Sequence, residues 1–502
     1  MKHEGSGWSF ADSSLGRSFL WGLAITALPA ASGFFVSWVI ARWAGPGVMG
    51  TVSWVMSYAT AVLIVGKFGL DLAASRLASE YGVASPGTLR PLFAKALGLR
   101  AAFTLPVALL TLVFAPQIAQ FFPDPGLTNA IRVGALIVVC ASVYEFNENF
   151  LIGLNRLATV YRIRAVHLVS RVAATAVLVF LGFGAVAVLG GYCGAWLLAI
   201  AVYAVLLHRY LPASDPSSDR ADVGRLLTLS VALAVSSASV TIYSHMDRLL
   251  LGYFSGMEEL GQYAVARNIT EVSLFPVFAM VMMLRPALAA RFSTGRVSEC
   301  ADIIRYSIRF CFVIGVLFSA IFVALGADLV TFVYSDAFLP AGRLMVFFVG
   351  VVLARSIGAV LLPALIAADM ARVYAYLTAG SAALHFSLNL FLIPRYQSRG
   401  AIVATIISYG LLLAVGLGVM LAKYRITIGL AAISVAARTI LAGSIATGAV
   451  WLLADRPEPL SWVALLWAVL LLGLYLLLIY VFRVVTFSNL SKLFSNLSKQ
   501  KR

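Results

Sequence analysis

Charge is what this sequence has least of. Only 12 % of residues are Asp, Glu, Lys or Arg while 61 % are hydrophobic, against roughly a quarter charged in a soluble domain. That balance excludes a water-soluble globule. Cysteine is nearly absent: Cys140, Cys193, Cys300 and Cys311 are scattered in or beside apolar runs with no paired ligand spacing, which excludes a disulfide framework or a thiolate metal site and leaves small packing residues. Catalytic signatures are missing as well. There is no Walker A pattern, no His-Glu-x-x-His and no Asp-x-Asp, and no polar stretch is long enough to hold an ATP-hydrolysing domain. The chain therefore reads as a non-enzyme with no cofactor and no metal, and any work it does draws on an ion gradient, the membrane potential or downhill flow. No cleavable signal is evident, because the first apolar run is too long for one and is expected to stay as an anchor.

What is present is a succession of apolar runs of about 20 residues, each sufficient at 1.5 Å per residue to cross a hydrocarbon core of about 30 Å. In lipid only helices or closed barrels satisfy the backbone. Barrel strands would alternate apolar and polar residues, whereas Ala404 to Leu421 is apolar on every face. The expected fold is an all-α integral membrane protein with spans near 18–41, 49–70, 97–121, 129–153, 160–182, 184–207, 226–252, 260–285, 306–334, 343–367, 373–394, 400–422, 427–453 and 461–482. With the N-terminus inside, Arg76, Arg90, Lys95, Arg156, Arg162, Arg164, Arg209, Arg220, Arg225, Arg291, Arg296, Arg305, Arg309, Arg372, Lys423, Arg425 and a basic tail fall on the cytoplasmic side. Only Arg42, Arg343, Arg395, Arg399 and Arg456 fall outside. This is the positive-inside pattern. It assigns the net charge of +16 to topology rather than to nucleic acid.

A weak repeat organises the runs. Val39 to Gly50 (VIARWAGPGVMG) and Leu250 to Gly261 (LLGYFSGMEELG) each read as a span end, a Gly-containing outer turn and a Gly opening the next span, and a 211-residue offset relates them. Val160-Tyr161 with Val373-Tyr374, and Gly184-Ala185 with Gly400-Ala401, keep the order. Six spans separate equivalent positions, an even number, so the halves share one orientation about an axis along the membrane normal. The expected organisation is a cytoplasmic segment 1–17, a six-helix bundle 18–207, a Pro/Ser/Asp-rich linker 208–225, a second six-helix bundle 226–422, two appended helices 423–483 and a basic tail 484–502. In that tail Phe487, Leu490, Phe494 and Leu497 have the spacing of an interfacial helix. Two like bundles around a midplane cavity are the layout of alternating access.

An ionisable residue deep in a span costs about 2.5 to 3.5 kcal/mol on insertion scales, so each should face a partner or a wet cavity. Lys67 and Asp71 sit toward the inner end of span two, and Arg267 and Glu271 on span eight; each pair has the i, i+4 spacing of an intrahelical ion pair. Glu145 and Glu148 share a face of span four, either pairing with Arg171 or serving as protonatable coupling groups, and the sequence leaves both open. His167 and Arg171 share a face of span five, Asp247 and Arg248 end span seven, and Arg355, His385 and Arg438 lie in spans ten, eleven and thirteen. Arg171, Arg355 and Arg438 have no acid one turn away and must find partners across helices or face water.

Ala41 to Gly50 (ARWAGPGVMG), Lys67 to Tyr81 (KFGLDLAASRLASEY), Asp247 to Val265 (DRLLLGYFSGMEELGQYAV) and Asn389 to Thr405 (NLFLIPRYQSRGAIVAT) resemble the Wzx-type lipid-linked oligosaccharide flippases of the multidrug/oligosaccharidyl-lipid/polysaccharide exporter superfamily. The resemblance implies two bundles in a V and a cationic cavity for the pyrophosphate and sugars of an undecaprenyl-linked repeat unit. It also implies the lipid-linked oligosaccharide, the bilayer, and a polysaccharide polymerase with its chain-length machinery as partners. Asp247 matches the acid that ends span seven in that family and is expected to cap the outer turn. QSRG at Gln397 to Gly400 departs from the usual short Gly turn. Lys67, Arg171, Arg267 and Arg355 are the expected substrate path; Asp71, Glu145, Glu148, Asp247 and Glu271 are the expected coupling or structural acids. A multidrug exporter or a lipid II flippase would share the fold. The first would favour an acidic cavity. A polymerase or glycosyltransferase would need a long outer loop, which Phe122 to Leu127 and Gly252 to Leu260 are not.

Overall fold

The computed structural model describes residues 14–122, 126–212, 223–424, 430–453, 461–482 and 484. Most of the linker, residues 1–13 and the tail with its Phe487 to Leu497 spacing lie outside the described residues. Where sequence placed apolar runs, helices form: α1 (Ser14–Lys67), α2 (Leu70–Ala84), α3 (Leu89–Gln120), α4 (Leu127–Gly153), α5 (Leu157–Phe180), α6 (Ala185–Tyr210), α7 (Val223–Ser273), α8 (Phe275–Ser293), α9 (Val297–Val333), α10 (Leu339–Ala367), α11 (Ala371–Tyr424), α12 (Leu430–Leu453) and α13 (Ser461–Val481). Ten helices among the described residues are long and apolar enough to cross a membrane, two of them, Leu28–Lys67 and Ala371–Tyr424, long enough to cross twice. With the first half of α7 and the shorter apolar helix Leu466–Val481, the passes number fourteen.

The expected outer turns are tighter than loops. Residues 250–261 hold no loop at all: α7 runs through them, broken at Gly256 alone (φ 86°, ψ 172°), as α1 is broken at Gly45 alone (φ 81°, ψ −179°). Such a φ is costly for any side chain with a Cβ, so glycine lets one pass turn into the next without a loop. Between passes eleven and twelve the break falls on Gln397, a non-glycine held at φ 50°. Span eight also departs from expectation: it breaks at Leu274 between α7 and α8 instead of running through.

The repeat becomes visible as a contact. A Cβ on Gly50 would lie 1.7 Å from the Met257 carbonyl oxygen, and one on Gly261 would lie 2.0 Å from that of Pro46. Met257 and Gly261 are the 211-residue counterparts of Pro46 and Gly50, so the same two positions meet each other reciprocally, as in a twofold interface. Around this crossing Trp54 donates its indole N–H to the Leu249 carbonyl (3.3 Å) and Trp38 donates to that of Val333 (2.7 Å). At the opposite end the halves meet again. Gly69 (φ 71°) packs so closely on Ser230 that a Cβ would come within 2.2 Å of its carbonyl oxygen, and Arg225 of α7 pairs with Glu80 of α2.

The last two helices pack outside the bundles. Val435, Ala442, Ala446 and Val450 of α12 form a separate apolar cluster with Leu471, Tyr475 and Ile479 of α13 and Val316 and Ala320 of α9. The Tyr475 hydroxyl donates to the Val313 carbonyl across it (2.8 Å). Arg438, expected to find a partner across helices or face water, sits exposed on α12 and reaches the Phe482 carbonyl at 3.4 Å. This packing turns the polar position of α12 away from both bundles.

Candidate functional site

Inside the C-terminal half, α7, α10 and α11 surround a cavity of about 330 Å³. Its charges come from both sides of the Gly256 break. Before it stand Asp247 and Arg248; after it Arg267 and Glu271; α10 contributes Arg355. At 1.5 Å per residue, Arg248 lies about 12 Å and Arg267 about 16 Å from the break, near the middle of a core about 30 Å thick. Asp247 therefore does not cap an outer turn, because the helix continues for two more turns beyond it.

Asp247 is completely buried, and both of its carboxylate oxygens are hydrogen-bonded. One carboxylate oxygen accepts the Arg248 backbone N–H (2.9 Å); the other accepts the Tyr263 hydroxyl (2.5 Å) and the Arg267 guanidinium. Arg267 also donates to the Ser244 carbonyl (3.1 Å). Its expected one-turn partner Glu271 is 3.9 Å away and pairs more closely with Arg355, whose guanidinium also lies over the Phe278 ring at 5.6 Å. Two acids thus hold two of three arginines. Arg248 is left over: among the described residues no carboxylate lies within salt-bridge distance of its side chain. Its Nε has no hydrogen-bond partner, and its one polar contact is Ser57 of the N-terminal half at 3.5 Å. The cavity carries one net positive charge, and that charge sits where the cavity meets the other half.

A second cluster lies within the N-terminal half. Lys67 pairs with Glu145 at 2.5 Å, and Arg100, 1 % exposed, lies 3.8 Å from Asp71 and 4.0 Å from Glu145 while donating to Ser142 (2.8 Å). The expected Lys67–Asp71 pair does not form, because the helix breaks at Phe68 (φ 40°) and Gly69 between them. Glu148 pairs with Arg164, so neither Glu145 nor Glu148 reaches Arg171. Arg171 donates to Ser32 (2.9 Å), lies over the Tyr192 ring at 5.6 Å, and has no acid partner among the described residues. Its neighbour His167 is buried between the Tyr144 and Trp196 rings, at centroid distances of 4.8 and 5.6 Å. Of the expected path residues, then, Arg267 and Arg355 share one cavity, Lys67 belongs to the other cluster, and Arg171 stands apart.

Sequence reasoning missed Arg100 and undervalued Arg248. Arg100 lies near the cytoplasmic end of an expected span, and no role is assigned to it from sequence. A periodic face of α3 marks it, however: Arg100, Thr104, Ala108, Thr111, Ala115 and Ala119 are all buried at helical spacing, small or polar residues on a helix whose other faces are bulky and apolar. Arg248 is placed by the sequence only at the end of span seven beside Asp247, and because adjacent residues on a helix point about 100° apart, that neighbourhood gives it no partner.

The family model for polysaccharide biosynthesis protein matches residues 15–292. Among solved structures the chain is similar to a lipid II flippase MurJ in an inward closed conformation (TM-score 0.74, 12 % identity, covering 92 % of this chain and 98 % of that one). It is also similar to an inward-facing multidrug resistance MATE family transporter of the MOP superfamily (TM-score 0.62, 14 % identity, 86 % and 96 %). A third is a MOP superfamily transporter from Pyrococcus furiosus described by the reverse polarity of its binding pocket (TM-score 0.53, 14 % identity, 87 % and 95 %). At these identities the likeness concerns the fold. No curated protein sequence matches.

Proposed function

Because the chain belongs to the polysaccharide biosynthesis protein family and shares its fold with solved membrane transporters, we propose that it flips a lipid-linked oligosaccharide, held through an isoprenoid pyrophosphate, from the inner to the outer leaflet of the cytoplasmic membrane. The termini lie in the cytoplasm on this reading, and a polymerase with its chain-length machinery takes over the product outside. The observation that carries it is Arg248, a cation near the midplane left without an acid in a cavity where every carboxylate is already taken. Arg248 is part-buried with its Nε enclosed and unpartnered, so the cost of its desolvation is not offset by any carboxylate among the described residues. An anion bound there recovers that cost, and arginine suits pyrophosphate through bidentate hydrogen bonds.

The same pairing argues against an organic cation as cargo. Asp247 and Glu271 would have to abandon Arg267 and Arg355 before receiving one. Energetics fit outward movement: with the interior negative, two negative charges moving out gain roughly 4 to 5 kcal/mol per 100 mV. A volume near 330 Å³ lies at the lower end of ligand pockets, so the halves must part at one end to admit the sugars. The contacts at Gly50/Gly261 and at Gly69/Ser230 are where they would part. Leaflet transfer of a fluorescent undecaprenyl-pyrophosphate oligosaccharide by the purified protein in liposomes tests this. Export of an organic cation in its place would reassign the protein to multidrug transport. Transfer of lipid II in preference to other repeat units would reassign the cargo.

A further inference from the structure

Positive charge is scarce on the outer side, and most of what is there converges. Of the arginines that the loop pattern places outside, Arg42 is spent on the Phe332 and Tyr334 carbonyls (3.0 and 3.1 Å). Arg132, near the outer end of α4, bonds Asn129 (3.3 Å). The remaining described ones, Arg343, Arg395 and Arg399, line one polar pocket of about 400 Å³ at the outer end of the C-terminal half, with Glu259, Tyr396 and Gln397. Three passes supply them: the start of α10, and α11 on both sides of its break.

Three guanidinium groups gathered around one pocket repel one another, and Glu259 is the only acid in the lining. None of the three forms a salt bridge among the described residues, and the other contact of Arg399 is the face of the Phe347 ring at 5.4 Å. The break that brings Arg395 and Arg399 to the same mouth falls on Gln397 at φ 50°, a conformation that glycine adopts freely and that a side chain holds only at a cost. At the equivalent breaks of α1 and α7 the chain uses glycine. Here it keeps a hydrogen-bonding side chain on the pocket wall instead.

We propose that this pocket is an outer-side anion site that receives the pyrophosphate group of the translocated lipid, so that cargo passes from Arg248 near the midplane to Arg343, Arg395 and Arg399 at the exit. Its assignment to cargo rests on the flippase reading; its anion chemistry does not. Phosphate chemistry could also come from an outer-leaflet phospholipid headgroup, and the test separates the two.

All four native cysteines are buried, so Tyr396→Cys gives a single accessible position at the pocket mouth for an environment-sensitive fluorophore. The labelled full chain in nanodiscs of neutral lipid is titrated with inorganic pyrophosphate, and a parallel sample is prepared in nanodiscs containing phosphatidylglycerol. A saturable response to pyrophosphate is expected. R395Q/R399Q should weaken it at least about tenfold, since each charge-assisted hydrogen bond is worth about 1.5 to 3 kcal/mol, whereas R132Q, an exposed outer arginine of α4 that does not line the pocket, should leave it unchanged. No response, or a response that survives R395Q/R399Q, overturns the site. A response to phosphatidylglycerol that pyrophosphate does not compete away overturns the assignment to cargo. Pyrophosphate binding here in a protein that fails to flip any lipid would refute the flippase reading and leave the anion site standing.

Discussion

The reciprocal glycine contact between the halves sets a definite expectation for Gly50→Ala. An ideal Cβ there lies 1.7 Å from the Met257 carbonyl oxygen, against a floor of 3.0 Å for real Cβ contacts, so one backbone must retreat by at least 1.3 Å. The obstacle is main chain on a helix, with no rotamer to move aside. Overpacking of this kind costs about 1 to 3 kcal/mol, which falls entirely on the state in which the outer ends touch. The ratio of outer-open to outer-closed protein should therefore rise about 5- to 150-fold. Gly261→Ala, meeting Pro46 at 2.0 Å, should act in the same direction because it lies at the counterpart position. Spin labels at Trp43→Cys and Phe254→Cys, exposed positions just before the two breaks, would report the separation by pulsed electron resonance. The expected result is a longer distance population in either alanine variant and none in Gly98→Ala, where nothing lies within 4 Å of the added methyl. An unchanged distance distribution in both Gly50→Ala and Gly261→Ala would refute the claim that this crossing closes the outer side.

The inner contact should be pH-sensitive: the hydrogen bond from Arg225 is the largest influence holding the Glu80 carboxyl below the usual carboxylate range. A depressed pKa means the contact stabilises the inner-closed state above the ordinary carboxylate pKa of about 4.3 and loses that effect as pH falls through the lowered value. Labels on α2 and α7 should separate there in the wild type and at all pH values in Glu80→Gln; a contact indifferent to both would contradict this. Asp247→Ala strands Arg267 and Tyr263 and should destabilise the protein in detergent by about 3 to 5 kcal/mol, with much of the loss recovered in Asp247→Ala/Arg267→Met; thermal unfolding of both checks the pairing. Arg100→Ala leaves Asp71 and the Lys67-paired Glu145 short of a cation and should cost a similar amount, about 3 to 5 kcal/mol; a stability change below 1 kcal/mol would show that Arg100 is not a structural cation.

Much of the fold was legible because the bilayer imposes a strict code. Apolar length gives the passes, and the Gly45/Gly256 spacing gives the repeat that the Gly50–Met257 contact makes physical. The charged pairs were less legible. Spacing of i, i+4 presumes an unbroken helix, and Phe68 and Gly69 break it between Lys67 and Asp71, sending each acid and base to a partner on another helix. For Arg438 the sequence requires a partner beyond its own helix or water, but no pattern within α12 reveals that the partner is the Phe482 carbonyl. The small-residue face of α3 is the local signal that marks Arg100 as a buried cation. Cross-helix partners such as Glu148–Arg164 and Glu271–Arg355 depend on rotation between helices, which one sequence does not encode locally.

The central claim is that an unpaired arginine near the midplane receives the cargo's pyrophosphate. Its most direct test compares wild type with Arg248→Gln for leaflet transfer of undecaprenyl-pyrophosphate oligosaccharide in liposomes, at matched protein levels and an inside-negative potential. Transfer in the wild type and a loss of at least about tenfold in the variant, the worth of one charge-assisted contact, are expected, with no fall in thermal stability because Arg248 holds no acid among the described residues. Undiminished transfer by a stable Arg248→Gln protein would contradict it.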